Sequence, residues 1–137
     1  MNAPLYTTEI LRLAASLPGP QQLERVDGSA ARRSPTCGSS LLSEVQVKDG
    51  HIEALSQTVL ACAFGQASAA LLERGALGRS RADVEQALAD LTDWLGGGAA
   101  EPGWGLAALA PARSRKSRHG AILLPFRALA AAIEDAE

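Results

Sequence analysis

Over residues 41–48 apolar and polar side chains alternate, and over residues 52–59 they do so again, less strictly. A period of two is the mark of a strand with one face buried and the other wet. The pattern puts Val45, Val47, Ile52 and Ala54 on the buried face and Glu44, Gln46 and Glu53 on the wet one. Between the two runs stands Asp49-Gly50, a pair suited to the positive φ angles of a two-residue type I′ turn. The hairpin so formed sets Lys48 opposite His51. Continued without a bulge, the same register sets Cys37 opposite Cys62, with Cβ atoms roughly 5 Å apart. These are the only two cysteines in the chain.

Elsewhere the period is helical. Thr7 or Thr8 is placed to cap a first helix, with Glu9 in its first turn and Ile10, Leu13 and Leu17 on one face. Pro18-Gly19-Pro20 stops it. Residues 21–36 are mixed: a short edge strand is predicted over residues 23–26, and Arg32, Arg33 and Pro35 read as loop. After Cys62 the pattern becomes helical up to Gly75, built on small residues. Ser80 with Asp83 three residues on resembles a capping box. It opens a third helix whose face is Val84, Leu88, Leu91 and Leu95 and whose stop is Gly96-Gly97-Gly98. Residues 96–103 form a connector, residues 104–109 a helical turn or two, and residues 112–118 a short basic helix. Ile122, Phe126, Leu129 and Ile133 define a last helix, with Pro125 acceptable near its first turn. The sum is α+β: a small antiparallel sheet covered by helices.

At 137 residues the chain reads as one domain, residues 1–137, large enough to bury a core without staples. Only 4% of the residues are aromatic, so that core must be made of Leu, Ile, Val and Ala. A net charge of −2 argues against nucleic acid as a partner. No apolar stretch reaches the ~20 residues that span a bilayer. The first residues carry Glu9 and lack a basic start, so no signal peptide is expected and the compartment is read as cytoplasmic. In that compartment two neighbouring thiols point to metal or sulfur chemistry rather than to a structural disulfide.

Cys62 falls where strand gives way to helix, at the positive end of the helix dipole, a setting that favours an anionic ligand. Cys37 precedes Gly38, which lets the backbone bend tightly beside the sulfur. An Ala-Cys-Ala helix start is also an ordinary packing position. Two thiolates do not close a zinc site, which takes four ligands. Of the two histidines, His51 reads as a solvated turn residue, whereas His119, just ahead of the last helix, is a candidate third donor. Arg113, Arg115, Lys116 and Arg118 read as a solvated face or as a surface for an acidic protein partner. No spacing supports a hydrolase or a transferase, and the chain is read as a non-enzyme.

Several stretches resemble the U-type iron–sulfur cluster scaffolds, the family of IscU, SufU and the N-terminal domain of NifU. Pro35-Thr36-Cys37-Gly38 is similar to that family's Pro-x-Cys-Gly-Asp motif. Asp49-Gly50-His51-Ile52 matches its strand-turn-strand step. The run from Ala61-Cys62-Ala63 to Ala67-Ser68-Ala69 resembles its Gly-Cys-Ala-Ile-Ser-x-Ala-Ser-Ala segment, the most specific of the matches. The stretch Arg118-His119-Gly120-Ala121 with Leu124-Pro125-Phe126 resembles its Arg-x-Lys-Cys-x-x-Leu-Pro-Trp segment. The resemblance implies a three-stranded antiparallel sheet packed by about five helices. It implies iron, zinc or a nascent [2Fe–2S] cluster held by three cysteines and an aspartate, with a histidine joining in some branches. The implied partners are a cysteine desulfurase, which hands over persulfide sulfur, and acceptor proteins that take the cluster.

Two of those ligand positions are substituted here. Ser39 stands in place of the aspartate and Ala121 in place of the third cysteine; a shift of one residue would put Gly120 there, with His119 matching the family's histidine. Three readings follow: a scaffold using Cys37, Cys62 and His119; an interaction module without metal; and a Cys37–Cys62 sulfur-relay or redox pair.

Overall fold

The structure, a computed structural model, describes residues 6–35 and 38–137. The predicted turn forms, with Asp49 and Gly50 at φ 53° and 77°, and it joins strands β2 (Ser40–Lys48) and β3 (His51–Leu60). Strand β1 (Gly28–Arg33) pairs antiparallel with β2 on its other side, giving a three-stranded antiparallel sheet in the order β1-β2-β3. Helices α1 (Thr8–Ala15), α2 (Ala63–Gly75), α3 (Arg81–Leu95) and α4 (Lys116–Ala136), with a 3-10 helix at Leu106–Ala112, make five helices around it. The expected α+β class is the observed one.

The hairpin departs from the simple register. Lys48 pairs with His51 and Val47 with Ile52, but Gln46 pairs with Ala54, so Glu53 is an extra residue in β3. A bulge of this kind bends the strand and shifts all later pairs by one. Leu55, not Ala54, therefore follows Ile52 into the core opposite Val45. Gln46, expected on a wet face, is buried together with Ser56. They lie under residues 21–27: the Gln21 N–H donates to Ser56 Oγ at 2.8 Å, and Arg25 donates to the Val47 carbonyl and to Glu53. The ladder ends at Ser40–Leu60, so the register that set Cys37 opposite Cys62 is not the one formed. Cys37 itself lies outside the described residues.

The edge strand forms at Gly28–Arg33, not over residues 23–26. Its sequence, Gly-Ser-Ala-Ala-Arg-Arg, has little β propensity, and packing decides instead. A Cβ on Gly28 would stand 2.1 Å from the Ala132 carbonyl oxygen, so α4 lies directly on the β1 backbone. Leu41 meets Leu124 and Ala128 on the same side.

Thr7 caps α1, its Oγ1 accepting the Ile10 N–H at 3.1 Å, and the helix ends at Ala15, two residues before Leu17. Ser80 and Asp83 form the full reciprocal capping box of α3, and Gly96 ends that helix. At the C-terminus, the basic segment and the last helix form one continuous helix from Lys116 onward, with Pro125 in its interior. Proline there removes the bond to the carbonyl four residues earlier, that of Ala121. That carbonyl lies against α2 at Gly65. Phe64 and Phe126 are fully buried, and Trp104 meets Phe126 edge-on at 5.3 Å. With Trp94, also buried, these rings sit in a core otherwise built mainly of Leu, Ile, Val and Ala. Among the described residues no helix is long and apolar enough to cross a membrane.

Candidate metal and sulfur centre

Cys62 is the N-cap of α2, extended at φ −66° and ψ 171°, half-exposed, with no hydrogen bond from its side chain to the helix. Its side chain packs partly against the core and makes no cap bond to the N–H groups of the helix start. Gln66 fixes the entry: its Nε2 donates to the Ala61 carbonyl at 2.9 Å, while its backbone N–H donates to the Cys62 carbonyl at 2.9 Å. Gln66 escapes a motif search. The signal for it was a long amide four residues after an N-cap, within reach of the peptide just before the cysteine.

The connection between β1 and β2 closes on itself. The Gly38 N–H donates to the Ser34 carbonyl at 3.1 Å and the Ser34 N–H to the Ser39 carbonyl at 2.9 Å. Gly38 takes φ 70°, which a side chain would strain. Ser40 pairs with Leu60, so residues 38 and 39 lie at the same end of the sheet as Cys62. Ser39 is buried.

Ala121 is wholly buried and faces the first turn of α2. A Cβ on Gly65 would stand 2.7 Å from the Ala61 methyl and 3.3 Å from that of Ala121. The Ser68 hydroxyl donates to the Ile122 carbonyl at 2.6 Å and fixes the crossing of α2 and α4 beside it. Residue 121, which the resemblance sets against the family's third cysteine, therefore lies next to the start of α2, its methyl packed on a glycine.

His119 is placed elsewhere. Its Nε2–H donates to the carbonyls of Ala112 at 2.9 Å and Arg113 at 3.1 Å, which leaves Nδ1 as the lone pair of the neutral ring. Two residues on an α-helix are separated by roughly 200°. His119 accordingly looks to the 3-10 helix and the end of α3, where it lines a cavity of about 560 Å³ with Gly96, Gly97 and Lys116. Ala121 looks the other way, to α2. The structure brings Ala121, and not His119, to the Cys62 helix. His51 is exposed at the hairpin turn, at the far end of the sheet, with Nδ1–H donating to the Asp49 carbonyl at 2.8 Å. In the basic segment Arg113 is structural: it stacks on Trp94 and donates to the Trp94 and Gly98 carbonyls at the end of α3.

Among the described residues no three His, Cys, Asp or Glu side chains come close enough to hold a metal ion. With a hydroxyl at Ser39 and a methyl at Ala121, the donor set does not fit a closed four-ligand site.

The chain is similar over most of its length to three solved structures. A nitrogen-fixing NifU-like protein (N-terminal) from Brucella abortus is 30% identical, with a TM-score of 0.88 over 96% of this chain and 94% of that one. A putative iron–sulfur cluster assembly scaffold protein for the SUF system from Fervidobacterium islandicum AW-1 is 14% identical, with a TM-score of 0.84 over 94% and 96%. A hypothetical protein solved by crystallography is 21% identical, with a TM-score of 0.76 over 92% and 96%. The second and third establish likeness of fold alone. No family model and no curated protein sequence matches the chain.

Proposed function

Because the chain belongs to the NifU-like family of U-type scaffolds, we propose that it is a non-enzymatic iron–sulfur assembly protein that holds iron or a transient [2Fe–2S] cluster through Cys37 and Cys62. The observation that carries this reading is the partly buried Cys62 at the N-cap of α2, whose side chain makes no cap bond, at the sheet end where residues 38 and 39 also lie. Sulfur comes from a cysteine desulfurase: a thiolate of the pair takes the outer sulfur of the donor persulfide and releases the donor's thiolate. A partner electron donor supplies the two electrons that turn each such sulfur into cluster sulfide, and the cluster then leaves for acceptor proteins. The remaining coordination positions are filled by the partner protein or a small thiol, and the working compartment is the cytoplasm. His119 lies on the far side of α4 from Cys62, so its replacement by alanine is expected to leave metal binding unchanged.

Reconstitution with iron and sulfide under anaerobic conditions tests the reading. Visible absorption is expected from the unmodified chain and is abolished by Cys62→Ser. A protein that stays colourless contradicts it.

A second reading has its own support in the buried Ser39 and the packed Ala121, which replace donors by filler. On that reading the fold is an interaction module that docks on the desulfurase or an acceptor without metal. Co-purification with a desulfurase that persists after both cysteines are changed to serine favours the module over the scaffold. A sulfur relay or redox pair needs Cys37 and Cys62 to join; a mass spectrum that never shows the loss of two protons under oxidant ends the disulfide form.

A further inference from the structure

We propose that one ordered water molecule is built into the core between the sheet and α2, bridging the Ser43 hydroxyl and the Gln57 side-chain carbonyl. Ser43 and Gln57 are partners across β2 and β3, and they are 1% and 2% exposed. Among the described residues Ser43 Oγ and Gln57 Oε1 have no hydrogen-bond partner. Leaving such a group unsatisfied costs about 1–3 kcal/mol, and native cores rarely do so.

The amide cannot turn to repair this by itself. Gln57 Nε2 donates to the Ala69 carbonyl at 3.1 Å and to Glu73 Oε1 at 3.3 Å, so both its hydrogens are spent on α2. Oε1 is thereby held away from α2. Glu73 is half-buried, its carboxyl pushed above the usual range by loss of solvent, and the Gln57 amide opposes that shift. Exchanging the amide's nitrogen and oxygen would set an acceptor against that carboxylate.

A water supplies what the pair lacks: one hydrogen for Gln57 Oε1, and a donor or acceptor for the Ser43 hydroxyl. Room for it comes from the row of side chains on this face. Ala30 stands beside Ser43 on β1, so two of the three positions in the row Ala30–Ser43–Gln57 are small. The bridge ties β2 and β3 to α2, the helix whose N-cap is Cys62.

A crystal structure of the full chain at a resolution that shows buried waters is the first test. One buried oxygen peak within hydrogen-bond distance of both side-chain oxygens supports the inference. A direct Ser43–Gln57 bond, or no density between the two, overturns it. Magnetic relaxation dispersion of the solvent in solution is the second. Gln57→Leu is expected to lower the number of long-lived waters by one, and an unchanged number in the folded variant overturns the proposal. If that variant does not fold, the density in the unmodified chain decides.

Discussion

Gly28→Val is expected to lower stability by roughly 3 kcal/mol or more, at the upper end of overpacking effects. The first added carbon would meet the Ala132 carbonyl oxygen at 2.1 Å, the Ala136 nitrogen at 2.7 Å and the Ala136 methyl at 2.9 Å. Two of these are backbone atoms of α4, which no change of rotamer can move. Relief requires the helix to lift from β1, and with it the contact of Leu124 and Ala128 on Leu41. Gly19→Val is the matching control, because nothing lies within 4 Å of a Cβ there, and a change within about 0.5 kcal/mol is expected. Denaturant midpoints at unchanged slope measure both. Equal, small shifts for the two variants would contradict the close crossing of α4 on β1.

Restoring the two substituted ligand positions together, Ser39→Asp with Ala121→Cys, is expected to tighten zinc or iron(II) binding by about a hundredfold or more, some 2.7 kcal/mol. Residue 121 already faces the first turn of α2, and Gly65 has no Cβ to obstruct a larger side chain at that point. The new thiol would be buried there and stabilised as an anion only by a metal, so binding is expected to release its proton and to weaken below neutral pH. Adding Cys62→Ser to this double variant should return it to weak binding. Competition against a chromophoric chelator reads all three proteins. A double variant that binds no more tightly than the unmodified chain would show that position 121 does not open onto the Cys62 site.

How far the sequence carried the fold differs from element to element. Local chemistry was legible: Asp49-Gly50 dictated the turn, Ser80 and Asp83 the start of α3, Gly96 its end. What escaped was set by distant contacts. Strand β1 is held by α4 and by β2 rather than by the preferences of Ala and Arg. The bulge at Glu53 keeps both Ile52 and Leu55 inside, a choice that a strict period of two cannot express. Pro125 was expected near a helix start, yet it sits buried inside α4.

The site divides in the same way. The strand-to-helix position of Cys62 could be read from the chain. The direction of His119 could not, since it depends on the 3-10 helix whose carbonyls it binds. The role of Gln66 depends on the conformation of the Ala61 peptide, which no motif records.

The central claim is that Cys37 and Cys62 together hold metal in the chain as the cell makes it. Its most direct test is elemental analysis of protein purified without oxygen, set beside Cys37→Ser and Cys62→Ser purified in the same way. The claim predicts iron or zinc in the unmodified protein and its loss from each variant. Equal metal content in all three, or none in any, contradicts it.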